Sequence, residues 1–468
     1  MDDITLKRIQ NELAAWFGSK RRRKQLDGRR YYEGKHDILT RKREAIGEDG
    51  DVTEVTNLPN NKVVDNQFKK LVDQKTNYLL GKPFVIDSED KNYAKLLKDV
   101  FGKKFRRLLR NAGRESMLCG ICWLFPYYDS KGEFSFKLFS GCDVLPFWAD
   151  DEHTEVERAV RIYKKKIYEG VTPKIIDKAE IYDIDGVYTY ILNGNSMTLL
   201  PDPDNPFSPY AVKDGYSYNW ERVPLIPVKY SDDETPLLCN IKCLQDGLNL
   251  MLSDFENNLQ EDPRNTIIVL KNFDGENLGE FRRNLTTYGA IKVCYNDDEK
   301  GDVDTLSVTV NAENYKTVLE LLKKAIIENG KGFDAKSDRL GANPNMMNIQ
   351  SMYSDIDLDA NGMEMELQAS FEDLLWFADC FLAYRNGTNY FSEPADIIFN
   401  RDILINESQV IEDIKNSVGI LSQETLVKQH PYVDDAEEEM KRIKKEESEE
   451  AEKLGNYDPF DHDADKKE

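Results

Sequence analysis

Apolar residues recur at three- and four-residue spacing across AENYKTVLELLKKAIIENGKGFD, where Tyr315, Val318, Leu321, Leu322, Ile326 and Ile327 share one helical face. Gly330 and Gly332 loosen the chain where that pattern ends. The next stretch, AKSDRLGANPNMMNIQSM, holds Gly341, Pro344 and the neutral donors Asn343, Asn345 and Asn348. Pro344 lacks an N–H and pushes Asn343 out of helical angles, so a loop is predicted over 335–352. From Tyr353 the chain then runs more than ~30 residues without proline, a predicted helix of roughly 50 Å at about 1.5 Å per residue. The rest of the chain is expected to hold this helix–loop–helix in place.

Earlier in the chain, residues 1–26 are predicted as one helical segment, with Leu6, Ile9, Leu13 and Trp16 on one face. A second helix is predicted in NKVVDNQFKKLVDQKTNYLLGKPF, introduced by Asn57, Pro59, Asn60 and Asn61, striped by Val63, Val64, Phe68, Leu71, Val72, Tyr78 and Leu79 and stopped by Gly81 and Pro83. After a third helix the period changes. From Cys119 to Tyr128 the residues are β-prone, with FSFKLFSG as hairpin partner and further strands to VPLIPVKYS, one turn falling at Asp185–Gly186. The span 27–232 is therefore a mixed α+β domain. From 233 to 262, Leu237, Ile241, Leu244, Leu248, Met251 and Phe255 alternate spacings of four and three, a heptad stripe. Such a stripe packs either on its own domain or against copies in neighbouring subunits. Residues 263–310 are predicted as strand, helix, strand with an acidic exit at 298–305, a small α/β tip between two helices (233–262 and 311–334). A strand is expected in PADIIFNRDIL, closing 353–401. Three helices separated by loops fill 402–454, with Ser422 as an N-cap, and 455–468 is an acidic tail expected to be disordered.

Composition narrows the function. At 468 residues the chain can bury a sizeable core, and no apolar run reaches the ~18 residues of a membrane span. The opening MDDITLKRIQ has no apolar core, so no secretory signal is expected, and seven scattered cysteines predict reduced thiols. The net charge of -23 argues against a tight grip on DNA phosphates over the whole surface. Basic residues concentrate near the start, in Lys20–Lys24 (KRRRK); this run is either a solvated helix face or a polyanion contact.

No enzyme emerges. There is no phosphate-binding GxxxxGK[ST], and the four histidines (His36, His153, His430, His462) form no HExxH. Cys119 and Cys122 have metal-ligand spacing, but they sit in an apolar, strand-like run far from Cys239 and Cys243, as core thiols do. Asp357, Asp359, Asn361 and Gly362 approach a calcium loop, but Gln368 stands where the bidentate Glu belongs and Glu364 where an apolar residue belongs. Asp150, Asp151 and Glu152 could hold a divalent ion for nuclease chemistry or simply form a solvated turn. No cofactor and no metal are expected.

Five segments in a fixed order carry a family resemblance: YYEGKHDIL (31–39), NNKVVDNQFKKLVDQKTNYLLGKPF (60–84), LNLMLSDFENNLQEDPRNTIIVLKNFDGENL (248–278), MYSDIDLDANGMEMELQASFEDLL (352–375) and GILSQETLVKQHPYVDDAEEEMKRI (419–443). The chain resembles the portal proteins of tailed bacteriophages, in the branch common among phages of Gram-positive bacteria. The resemblance implies an α+β portal architecture assembling as a ring: wing over 27–232, stem helices over 233–262 and 311–334, clip over 263–310, tunnel loop over 335–352, a long wing helix and return strand over 353–401, and a helical crown over 402–454. It implies a non-enzymatic ring of about twelve copies, or about thirteen in solution, at one capsid vertex. Double-stranded DNA would pass through it, packaged by the large terminase subunit and later ejected. A head–tail adaptor, scaffold and major capsid protein would be further partners, in the virion and, during assembly, in the host cytoplasm. In this frame Leu237, Ile241, Leu244, Leu248, Met251 and Phe255 become subunit-packing residues. Lys323, Lys324, Lys331, Lys336, Arg339, Asn343, Asn345 and Asn348 become candidate DNA-channel residues, in an acidic wall that otherwise repels phosphates. A metal-dependent nucleic-acid-processing enzyme and another ring component of the head–tail connector are the alternatives; the length of the chain argues against an adaptor.

Overall fold

The computed structural model describes residues 1–46, 51–56, 58–129, 132–193, 197–213, 216–261, 266–271, 295–296, 299–300, 302–307, 312–334, 346–401, 407–430, 432–433 and 436–455. The chain divides into two units, 1–334 with 355–402, and 335–354 with 403–468. The first begins with two helices, α1 (Asp3–Gly18) and α2 (Lys20–Tyr32), rather than the single predicted one. Ser19 breaks the pattern: its backbone is extended and its hydroxyl accepts the Arg22 N–H, capping α2. The basic run is not simply solvated. Arg21 pairs with the buried Glu234, and the Arg22 guanidinium lies 4.6 Å and 4.5 Å from the ring centres of Trp16 and Phe17.

A short hairpin, β1 (Glu44–Ile46) and β2 (Val52–Glu54), precedes α3 (Gln67–Leu80), which Asn66 caps by accepting the Lys69 N–H. Then follow β3 (Val85–Asp87), α4 (Lys91–Val100) and α5 (Lys103–Cys119). The turn out of α5 requires Gly120. Its φ is +78°, and a side chain there would strike the Glu234 carbonyl.

The predicted strands form two antiparallel sheets. The larger contains β6 (Val144–Trp148), β7 (Val156–Glu169), β8 (Thr172–Asp183), β9 (Gly186–Asn193) and β10 (Thr198–Pro201) in sequential order, with β11 (Phe207–Ser208) on β9. A small hairpin, β12 (Ala211–Lys213) with β13 (Tyr216–Tyr218), leads on to the second sheet, in which β4 (Ile121–Tyr128) lies between β5 (Phe134–Ser140) and β14 (Ile226–Lys229). Strand alternation gives the larger sheet two apolar faces. Ala159 and Tyr182 meet Trp123, Phe139 and Leu225 of the second sheet's core. Val160, Ala179 and Ile181 face the other way and are covered by Ile9, Leu13 and Trp16 of α1.

Beyond this body come α6 (Leu238–Glu261), β15 (Thr266–Lys271), the short pair β16 (Tyr295–Asn296) and β17 (Glu299–Lys300), β18 (Asp302–Ser307) and α7 (Ala312–Asn329). The predicted acidic exit at 298–305 is in fact largely strand: Asp302–Ser307 pairs antiparallel with Thr266–Lys271, acids and all, with the β-prone Val303 and Thr305 alternating on one face. The helix predicted inside this insert lies outside the described residues. The long helix α8 (Met346–Asn386) has 41 residues, about 60 Å, and begins before the predicted 353. Past Pro344 the Met- and Gln-bearing stretch contains no helix breaker, so the helix extends back to Met346. After it, β19 (Asp396–Ile398) pairs with β3. The second unit contains α9 (Glu407–Asn416), α10 (Gln423–Gln429), capped by Ser422, and α11 (Ala436–Gly455).

One buried ion pair ties α3 and α8 to the strand end after β14. Lys75 Nζ lies 2.5 Å from Asp359 Oδ2, and the Tyr230 hydroxyl donates to the same carboxylate at 2.8 Å. Burial pushes the Lys75 ammonium below its ordinary pKa, so its charge is held there by Asp359. Lys75→Met is expected to cost about 3–5 kcal/mol by leaving Asp359 without its buried partner. Lys75→Met combined with Asp359→Leu should recover most of that loss. Denaturant unfolding of the two variants checks it; equal losses in both would show that the pair itself is not the cause.

Candidate channel-lining helices and their anchor

Helices α6 and α7 pair along their length. The Phe255 and Tyr315 rings lie 4.9 Å apart, and Asn258 Nδ2 donates to the Tyr315 hydroxyl at 2.9 Å. Of the heptad residues, Leu237, Ile241 and Leu248 are buried inside the protomer, while Leu244, Met251 and Phe255 are half-buried. The large apolar side chains left in solvent are others: Leu250 and Leu259 on α6, and Val318 and Leu321 on α7, Leu321 at 62% exposure. A shallow cleft of about 340 Å³ opens between the helices, lined by Phe255, Ala312, Lys316, Leu319, Glu320 and Lys323.

What seats α6 on the body is a polar row that the heptad reading missed. Gln245, Asn249, Ser253 and Asn257 are spaced by four residues and buried. Each accepts a backbone N–H from the stretch 61–68, three from the segment before α3 and one from the second residue of α3. Asn257 Oδ1 takes Asn61 N at 2.7 Å, Ser253 Oγ takes Val63 N at 2.9 Å, Asn249 Oδ1 takes Asp65 N at 3.0 Å, and Gln245 Oε1 takes Phe68 N at 3.0 Å. Gln245 Nε2 also donates to the Asp65 carbonyl at 2.8 Å. The signal was present as small polar residues at one helical repeat within an otherwise apolar helix; only the partner was missing.

His36 completes the row. Asn249 Nδ2 donates to His36 Nδ1 at 2.8 Å, so Nε2 carries the proton and donates to the Tyr31 carbonyl at 3.0 Å. A neutral imidazole satisfies both partners, and burial lowers its pKa accordingly. Four residues before α6, Glu234 has φ +53° and is buried; its carboxylate meets Arg21, His153 Nδ1 at 2.8 Å and Lys229 Nζ at 3.4 Å.

The candidate channel cations differ in their partners. Lys323 is 2.8 Å from Asp65 and Lys331 is 3.4 Å from Asp359, so both are ion-paired within the protomer. Lys324 is more exposed and meets Glu328 one turn on, at 3.8 Å. Lys336, Arg339, Asn343 and Asn345 lie outside the described residues, and Asn348 falls on α8 instead of in a loop. The calcium-like stretch is interior α8 and forms no loop. Asp357 accepts from Tyr78 and pairs with Arg401, which also reaches Asn361 and Glu364. Asp150 accepts the N–H groups of Thr154 and Glu155, closing a turn. Cys119 and Cys122 are buried, whereas Cys239 and Cys243 are exposed. Among the described residues no three His, Cys, Asp or Glu side chains are placed to hold a metal, and no helix is long and apolar enough to cross a membrane.

Residues 18–453 match the family described as phage portal protein, SPP1 Gp6-like, and the chain belongs to that family. It is 29% identical over 437 residues to the portal protein of Bacillus phage SPP1, which covers 92% of this chain and 85% of that one. It is 26% identical over 464 residues to the portal protein of Clostridium phage phiCD119, covering 94% and 96% respectively. The alignment thus runs through the body, the helix pair, the insert and the long helix. Phage portal proteins are structural components of the virion.

The histidine carries a pH prediction. Its folded pKa lies below the ordinary 6.5, so the unfolded chain takes up the proton first as pH falls. Stability present above about pH 6.5 is therefore lost below it. Between pH 7.5 and 5.5 the melting temperature of the wild type is expected to fall more steeply than that of His36→Gln. Parallel pH profiles would remove His36 as the titrating group.

Proposed function

We propose that this chain assembles into a closed ring of about twelve copies at one capsid vertex, with α6 and α7 as the stem around a central channel. Double-stranded DNA passes inward through it during packaging by the terminase and outward at ejection. The insert at 263–310 is the docking tip for the terminase and later for the head–tail adaptor, and the α+β body faces scaffold and major capsid protein. The single observation that carries the reading is the match to the portal family through almost the entire chain. The helix pair agrees with it. Leu250, Leu259, Val318 and Leu321 are apolar side chains in solvent on two adjacent helices, the surface a neighbouring copy would cover alongside Leu244, Met251 and Phe255.

Charge fits passage better than capture. With a net charge of -23 per chain and Lys323 paired with Asp65, a DNA phosphate meets few uncompensated cations. Of the three candidate cations among the described residues, Lys324 is the most exposed, and Lys331 shares Asp359 with Lys75. The neutral Asn343, Asn345 and Asn348 supply hydrogen bonds to phosphates without a deep electrostatic well.

Native mass spectrometry with negative-stain imaging of the purified chain tests the ring. A closed ring with a central hole, of about twelve or thirteen copies, is expected, and a persistent monomer would end the proposal. Asn345→Lys with Asn348→Lys is expected to leave the ring intact and lower the amount of DNA packaged. Unchanged DNA length and yield would remove these residues from the channel.

A further inference from the structure

The β7–β8 hairpin runs past the sheet it belongs to. β6 meets β7 only over Val156–Arg161, and β9 meets β8 only over Asp177–Asp183. Beyond those limits Lys165–Glu169 and Thr172–Ile176 pair with each other alone, a projecting arm of roughly 16 Å at about 3.3 Å per residue. A two-stranded hairpin by itself is marginal in water.

The arm carries an apolar strip where solvation predicts polar side chains. Ile162 packs in the core beneath α1. Two-residue steps place Lys164, Lys166 and Tyr168 on that same face, opposite Asp177, Ile175 and Pro173. The face that α1 covers nearer the body therefore continues outward uncovered. Tyr168 is 63% exposed, Ile175 67% and Val171, at the tip, 95%. The arm is also basic in an acidic protein: Lys165, Lys166 and Lys174 against Glu169, with Lys164 opposite Asp177 at its base, in a chain of net charge -23. Among the described residues no strand pairs with its flanking edges.

We infer that this arm is the grip by which one copy of the chain holds the next. Tyr168, Val171, Pro173 and Ile175 seat on the neighbour, and Lys164–Lys166 face its acidic surface. A ring needs a contact whose two halves differ, a projecting element on one side and a receptor on the other. The arm has the form of the first half, and the acidity of the chain supplies the charge of the second. The inference rests on the ring reading above and names the element that closes the seam.

Two full-length variants test it, Tyr168→Ser with Ile175→Ser, and Lys164→Glu with Lys165→Glu and Lys166→Glu, beside a photo-crosslinking residue at Val171 in the otherwise native chain. The substituted side chains are at the surface, so circular dichroism and melting temperature should match wild type. The chain concentration at which rings form should rise about tenfold or more, as when an interface anchor is lost. The Val171 probe should join chain to chain within the ring. Variants that form rings at the wild-type concentration overturn the inference, as does a Val171 probe that yields no chain–chain product in a closed ring. If a variant fails to fold, the probe alone decides. A wild-type chain that forms no ring defeats the ring reading itself, a result obtained before any variant is made.

Discussion

A backbone N–H taken out of water must find an acceptor, and along α6 that requirement is met by side chains. The segment 61–65 runs beside the helix and donates to Asn257, Ser253 and Asn249 in turn, and Phe68, in the first turn of α3, donates to Gln245. The match is metrical. Two extended residues advance about 6.6 Å, and four helical residues advance about 6.0 Å. Side chains one helical repeat apart therefore meet every second N–H of an antiparallel strand. The row on the helix also rotates by about 40° per step, so such a ladder cannot run far. It ends where α3 begins, with Phe68 three residues after Asp65 instead of two.

This ladder decides how the α6–α7 pair is mounted. Apolar contacts at Leu237, Ile241 and Leu248 supply burial but little direction, whereas four hydrogen bonds fix both height and rotation. Around it sit other directional contacts of the same kind: His36 between Asn249 and Tyr31, Lys75 with Asp359, and Glu234 among Arg21, His153 and Lys229. Each joins segments far apart in sequence, and each leaves a buried polar group unsatisfied if the geometry slips. For a protein whose proposed task is to pass a stiff polyanion without deforming, positional definition matters more than net stability.

Much of the architecture could be read from periodicity. The face of α1, the face of α3 from Phe68 on, the strand run after Cys119 and the helical end of the chain follow from spacing, because spacing reports which positions tend to be buried; on α7 the same stripe leaves Val318 and Leu321 in solvent. It does not report against what. The heptad on α6 was visible, but half of it is consumed inside the protomer, and the polar row beside it looked like ordinary solvated residues until the strand that it binds was placed. The break at Ser19 is hidden because the Lys and Arg residues that follow it are themselves good helix formers. Lys323 and Lys331 had the composition of free cations, yet Asp65 and Asp359 reach them from more than two hundred and from about thirty positions away. Family membership, in contrast, was carried by ordered segments and needed no geometry at all.

The side-chain ladder divides freedom of sequence unequally between its two strands. The donors are main-chain N–H groups, which every residue except proline possesses. The acceptors are particular side chains at four helical positions. Lys62, Val63 and Val64 can therefore drift widely so long as proline stays away from the donating positions, while Gln245, Asn249, Ser253 and Asn257 can exchange only for residues of similar reach and polarity. One half of the joint is written in the alphabet of amino acids and the other in the backbone common to them all, so related chains should diverge along the strand while keeping the spelling of the helix.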